Sequence, residues 1–167
     1  MNARSWWLPA LTIAFLIGTL HAWTFAAGIP EHLAVTPLEI ETSGHGSLSF
    51  RVSVAVDPKD RQKGLMYVSE MQPNQGMLFD LGEPHVASMW MKDTPLSLDM
   101  LFIRADGSIS SIVRETVPYS RTTIHSNEPV LAVVELLAGT CDRLGISPGD
   151  VVRHGLFAGP AANDQGN

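Results

Sequence analysis

Residues 47–56 read Ser47-Leu48-Ser49-Phe50-Arg51-Val52-Ser53-Val54-Ala55-Val56, and this stretch decides the fold class. Leu48, Phe50, Val52, Val54 and Val56 alternate with small or charged residues. A period of two turns one row of side chains to a core and the other to water, which predicts a half-buried β-strand. Asp57-Pro58 comes directly after. An acidic N-cap acceptor, then a proline where a missing N–H costs nothing, predicts a short helix through about Met66.

Further along, residues 76–79 and 85–91 are apolar and aromatic enough to predict two more strands. Residues 98–103 (LDMLFI) and 130–137 (VLAVVELL) carry apolar side chains on both faces, as interior strands do. Asp106-Gly107 predicts a tight hairpin turn into residues 108–114, because both residues tolerate positive φ. A helical turn over about 139–144 is expected to stop at Gly145 in the left-handed conformation. Pro148-Gly149-Asp150 reads as a turn into a last short strand at Val151-Val152. Many short strands with two short helices predict a mainly β fold, a β-sandwich or a partly closed barrel.

At 167 residues the chain has room for one domain. Hydrophobic residues reach 45% and charged residues 17%, enough apolar matter for a core and too little charge for global disorder. The net charge of -6, with no run of Lys or Arg, argues against a nucleic-acid partner, which would want a basic patch to meet phosphates. Before Glu31 the one charged residue is Arg4; Leu8 to Leu20 is apolar apart from two threonines, and Ala26-Ala27 follow. A basic start, an apolar stretch and a small-residue exit predict a signal peptide over residues 1–27, or a membrane anchor if it is retained. The protein is therefore expected to be exported, periplasmic or extracellular, or held at the inner membrane, with the leader as its only membrane contact. Residues 28–35 read as a linker, 36–154 as the β-rich domain and 155–167 as a flexible tail. Cys141 is the one cysteine, so no internal disulfide can form; in AGTCDRLG it reads as a small buried residue.

Several segments, taken in order, carry a resemblance. They are Arg61-x-x-Gly64-Leu65-Met66, Gly76-Met77-Leu78-Phe79, Trp90-Met91-Lys92-Asp93-Thr94, Leu98-Asp99 and Pro118-Tyr119-Ser120. Glu135-Leu136-x-Ala138-Gly139-Thr140, Leu144-Gly145-Ile146 and Gly149-Asp150 continue the series. Together they resemble the bacterial family known as domain of unknown function 192, over about residues 36–153. Asp93 stands where that family commonly has asparagine, and Met89 where it commonly has an aromatic. The resemblance implies a compact, mainly β, often exported domain with no established activity, substrate or cofactor.

Charged side chains in apolar strands need a partner or a wet cleft. Asp99 sits between Leu98 and Met100, Glu135 between Val134 and Leu136; Lys92 follows Trp90-Met91, and Arg61 lies on the predicted helix. One reading gathers Arg61, Lys92, Asp99 and Glu135 in a polar cleft that binds a small molecule or a protein partner, with Arg61 or Lys92 meeting an anion. A hydrolase-like alternative makes Asp99 and Glu135 an acid and base. A structural reading pairs Lys92 with Asp99 across a hairpin and gives Glu135 the N–H groups of a nearby loop. Catalytic motifs are scarce: the sequence lacks GxSxG and a phosphate-binding glycine loop. No cofactor is implied. A further alternative is Cu(I), for which His85, Met89 and Met91 would share one face of a strand. The histidines show no zinc spacing.

Overall fold

The structure, a computed structural model, describes residues 28–157. Its first strand is one the sequence did not suggest. β1 (Val35–Thr42) contains Pro37, and a proline argues against a strand with neighbours on both sides. β1 tolerates it because the neighbour on its outer side pairs only with Glu39, Ile40 and Glu41. Leu38 and Ile40 point inward and are fully buried.

β2 (Gly46–Ala55) is the alternating stretch, and it runs antiparallel to β1. Phe50 and Val52 are buried as expected, but the alternation fails at its end. Ser53 is buried and donates to the Pro30 carbonyl at 3.0 Å, whereas Val56 is 56% exposed. Residues 28–35 are thus more than a linker: Ile29 is buried in the core and Leu33 packs against it. α1 (Pro58–Lys63) begins at the expected proline, but the Asp57 side chain makes no cap bond. The helix ends before Met66, at Gly64, whose φ of 49° breaks it.

β3 (Gln75–Met89) joins the two strands expected at 76–79 and 85–91 into one. It pairs with β2 in parallel, so the chain must cross over between them, and α1 lies in that crossover. β4 (Leu98–Ile103) is buried at every position. The turn after it bonds Gly107 N–H to the Arg104 carbonyl at 3.0 Å and leads into β5 (Ile109–Val113). Only Gly107 takes positive φ there; Asp106 instead accepts the Ser108 N–H at 2.9 Å. β6 (Ile124–Leu137) starts earlier than expected and pairs antiparallel with both β3 and β4. α2 (Thr140–Leu144) stops at Gly145 (φ 67°), and β7 (Val151–Arg153) follows.

The seven strands form one mixed sheet in the order β5-β4-β6-β3-β2-β1-β7. It curls into a half-barrel, and its two edges meet. Ser108 bridges Val151, Val152 N–H donates to the Gly107 carbonyl at 2.8 Å, and Ile109 N–H donates to the Asp150 carbonyl at 2.8 Å. Of the two forms the alternation allowed, the partly closed barrel is the one adopted. Alternate side chains build two cores. Leu38, Phe50, Leu78, Leu101 and Val134 meet α2 residue Cys141 on one face. Met77, Phe79, Met100, Phe102 and Val133 meet Ile29, Leu65 and Met91 on the other. Within the tail expected over 155–167, Gly155–Phe157 form a 3-10 turn, and Leu156 and Phe157 pack on the first core. No helix among the described residues is long and apolar enough to cross a membrane. The signal peptide expected over residues 1–27, and residues 158–167 of the expected tail, lie outside the described residues.

Candidate functional site

The parallel crossover leaves a gap between α1, the turn after it and the far half of β3. β3 and β6 slip register between Asp80 and His85, where Gly82 and Pro84 swell β3 away from its partner. The result is a cavity of about 410 Å³. Leu65, Met66, Phe79, Leu81, Met89 and Trp90 give it a large apolar lining, interrupted by Gln62, Ser88 and Thr94. Glu135 of β6 also lines it. The register explains why. Glu135 stands opposite Met77 on β3 and Met100 on β4, so its side chain joins their apolar layer.

Glu135 is 4% exposed, and among the described residues it makes no hydrogen bond or ion pair. No sealed side-chain oxygen or nitrogen among those residues lacks a partner. The Glu135 oxygens are therefore open to the cavity. Burial pushes this carboxyl up to about 8, so it holds its proton at neutral pH.

Cations gather at the mouth. Arg61, Lys63 and Lys92 line the cavity, and an adjoining hollow adds Lys59, Asp60 and His32. The two hollows share Gln62, Lys63, Met66, Trp90 and Lys92. Lys59, Lys63 and Lys92 are the chain's three lysines. Among the described residues Lys59 and Lys63 form no ion pair; the Lys92 ammonium lies 4.0 Å from the Asp93 carboxylate and 5.6 Å from the Trp90 ring centre. Arg61 is less free. Its guanidinium donates to the Val56 carbonyl and, at 2.8 Å, to the Asp80 carbonyl, tying α1 to the swollen part of β3.

Three of the four polar residues singled out in the sequence thus meet at one hollow, and Asp99 does not. Asp99 stands opposite Leu136 on β6, one step from Glu135, and one step along a strand reverses the face. Its carboxylate accepts the backbone N–H of Glu115 at 3.0 Å, Gly139 at 3.3 Å and Cys141 at 2.9 Å. The last two open α2, so Asp99 caps that helix from a distant strand. The Lys92–Asp99 ion pair therefore does not form, because the sheet lies between its members. The loop-capping role expected of Glu135 belongs to Asp99. An acid–base pair of Asp99 and Glu135 has no shared hollow, which removes the geometry the hydrolase-like alternative requires. Cys141 lies fully buried beside Asp99, and both burial and that carboxylate push its thiol up, away from the reactive thiolate.

With this geometry in hand, relatives can be compared. A DUF192 family pattern, described as an uncharacterized ACR, matches residues 39–154. The chain belongs to the DUF192 family. No curated protein matches it. Among solved structures, it is similar to one from Sinorhizobium meliloti 1021 described as a suggested transcription regulator. The two are 48% identical, with 72% of this chain and 94% of that one covered at a TM-score of 0.71. It is also similar to a protein of unknown function from Novosphingobium aromaticivorans DSM 12444. There the identity is 34%, the coverage 77% and 94%, and the TM-score 0.72. The family and both relatives leave the function open.

The segments that carried the DUF192 resemblance also build the cavity: Arg61, Gly64, Phe79, Trp90, Lys92 and Glu135 all line it. The copper set is split. His85 and Met89 border the cavity, but Met91 is fully buried in the second core. β3 ends at Met89 after a second slip between Val86 and Ser88, so the alternation expected of 85–91 is lost. The His85 ring nitrogen Nδ1 sits 2.9 Å from the Glu83 carbonyl. Among the described residues no three His, Cys, Asp or Glu side chains come together as a metal site. Sequence reasoning missed Lys59 and Lys63. The signal was present, since all three lysines of the chain fall within residues 59–92.

Proposed function

We propose that this DUF192 domain binds a small organic anion with an apolar body. The observation that carries the reading is the placing of Lys63 and Lys92 on a cavity with a large apolar lining, with the third lysine, Lys59, in the hollow that adjoins it. In a chain of net charge -6, a local cluster of cations focuses an attractive field on anions entering that hollow. The volume of about 410 Å³ falls within the range of small-molecule pockets. Lys63 and Lys92 meet the anionic group, the Met66, Phe79 and Leu81 side chains take the apolar part, and Arg61 positions α1 as one wall. A regulatory role like that suggested for the Sinorhizobium relative would act through such a ligand, since the chain's acidity opposes direct contact with nucleic acid.

Anilinonaphthalene sulfonate, an anionic apolar dye, tests the proposal. Its fluorescence should rise to saturation with one class of site. A Lys63→Glu, Lys92→Glu double variant with unchanged melting temperature should weaken binding about tenfold or more. Equal binding by the double variant would overturn the reading. The predicted leader would place the site outside the cytoplasm. Cell fractionation with N-terminal sequencing tests this, and intact cytoplasmic protein would count against it.

A further inference from the structure

The cavity has two chemically different ends. At the mouth are ammonium groups; at the floor is one carboxyl on a central strand, 4% exposed and without a hydrogen-bond or ion-pair partner among the described residues. A polar side chain so placed costs stability unless something in the cavity satisfies it. Its apolar neighbours Met77 and Met100, one on each flanking strand, offer it nothing. The charged or titratable groups around the same space are Arg61 and Lys63 from α1, His85 from β3 and Lys92 from the loop after it.

We propose that Glu135 acts as an uncharged hydrogen-bond donor to the inner end of the ligand, so that the cavity selects organic acids bearing a carbonyl oxygen remote from their acid group. This rests on the anion-binding reading above. The lysines take the ionised end, the apolar walls take the chain between, and the Glu135 O–H reaches the carbonyl. Burial keeps the proton on Glu135 up to a pH of about 8. A carbonyl acceptor needs that proton, whereas an ammonium group would need it gone. A cavity of about 410 Å³ has room for an eight-carbon acid.

The experiment compares octanoate with octanoate carrying a keto group on the carbon next to its terminal methyl, by titration calorimetry on the full chain. At about pH 7 wild type should bind the keto acid roughly tenfold tighter, the worth of one buried hydrogen bond. At about pH 9 that advantage should vanish, while octanoate shows no matching change. Glu135→Leu should bind both acids alike at both pH values. Glu135→Gln, whose amide still donates and does not titrate, should keep the preference at both. Equal affinity of wild type for the two acids, with octanoate still sensitive to Lys63→Glu and Lys92→Glu, would overturn this inference alone. Absence of binding by either acid would overturn the anion reading with it. A preference for amino-octanoate that grows as pH rises past about 8 would make Glu135 an ion-pairing carboxylate and also overturn the inference.

Discussion

Two buried carboxylates one register step apart meet opposite fates. Asp99 has three N–H donors, so its charge is compensated, and removing it leaves those donors unmet. Asp99→Ala should cost about 3 kcal/mol and lower the melting temperature by roughly 10 °C. A melting temperature equal to wild type would show that the cap on α2 carries no weight. Glu135 has no such donors. Its folded carboxyl is raised to about 8 from an ordinary 4.5. Between those values the folded state keeps a proton that the unfolded chain gives up, so this group's contribution to stability declines as pH climbs through that window. The gap in melting temperature between Glu135→Gln and wild type should therefore be small near pH 4.5, widen toward about 8 and level beyond. A gap constant across that range would refute the raised value. The sequence revealed that both residues were out of place among apolar neighbours. It did not reveal which was satisfied, because that depends on register, and register is set by pairing between strands distant in the chain.

At the scale of elements, β3 and β6 approach closely at Gly76. A Cβ there would lie 2.6 Å from the Glu135 carbonyl oxygen and 2.7 Å from Leu136 Cδ2. Gly76→Ala should force the strands apart, destabilise by about 2 kcal/mol and disturb the floor that presents Glu135. Thermal melts would expose the first effect and dye titration the second; a neutral result in both would place the strands further apart than described. The strands at 47–56, 98–103 and 130–137, the turn at Gly107 and the stop at Gly145 were all legible in local pattern. β1 was not, since Pro37 masks an otherwise alternating Leu38 and Ile40. The single long β3 was also hidden, because the Gly82 and Pro84 that punctuate it signal a break and produce a swelling instead. That swelling opens the cavity, so the site was partly illegible for the same reason.

Across the whole molecule, closure depends on short contacts near the end of the chain. Leu156 and Phe157 pack on the first core, and Phe157 lies 3.4 Å from where a Cβ on Gly107 would stand. A chain ending at His154 should be about 2 kcal/mol less stable than one ending at Phe157, from lost apolar burial alone. Equal denaturant midpoints for the two would mean that the last turn contributes nothing. The family-level match and the mainly β class followed from ordered segments and alternation, whereas the meeting of β5 and β7 had no local signature. That meeting has a consequence for how copies of the chain behave in a crowd. An open sheet exposes a row of unpaired amides on each flank that can recruit a second molecule and template a fibre. Here one flank is only three residues long, and the other is tied to it at its first rung, so little backbone is left on which another copy could polymerise.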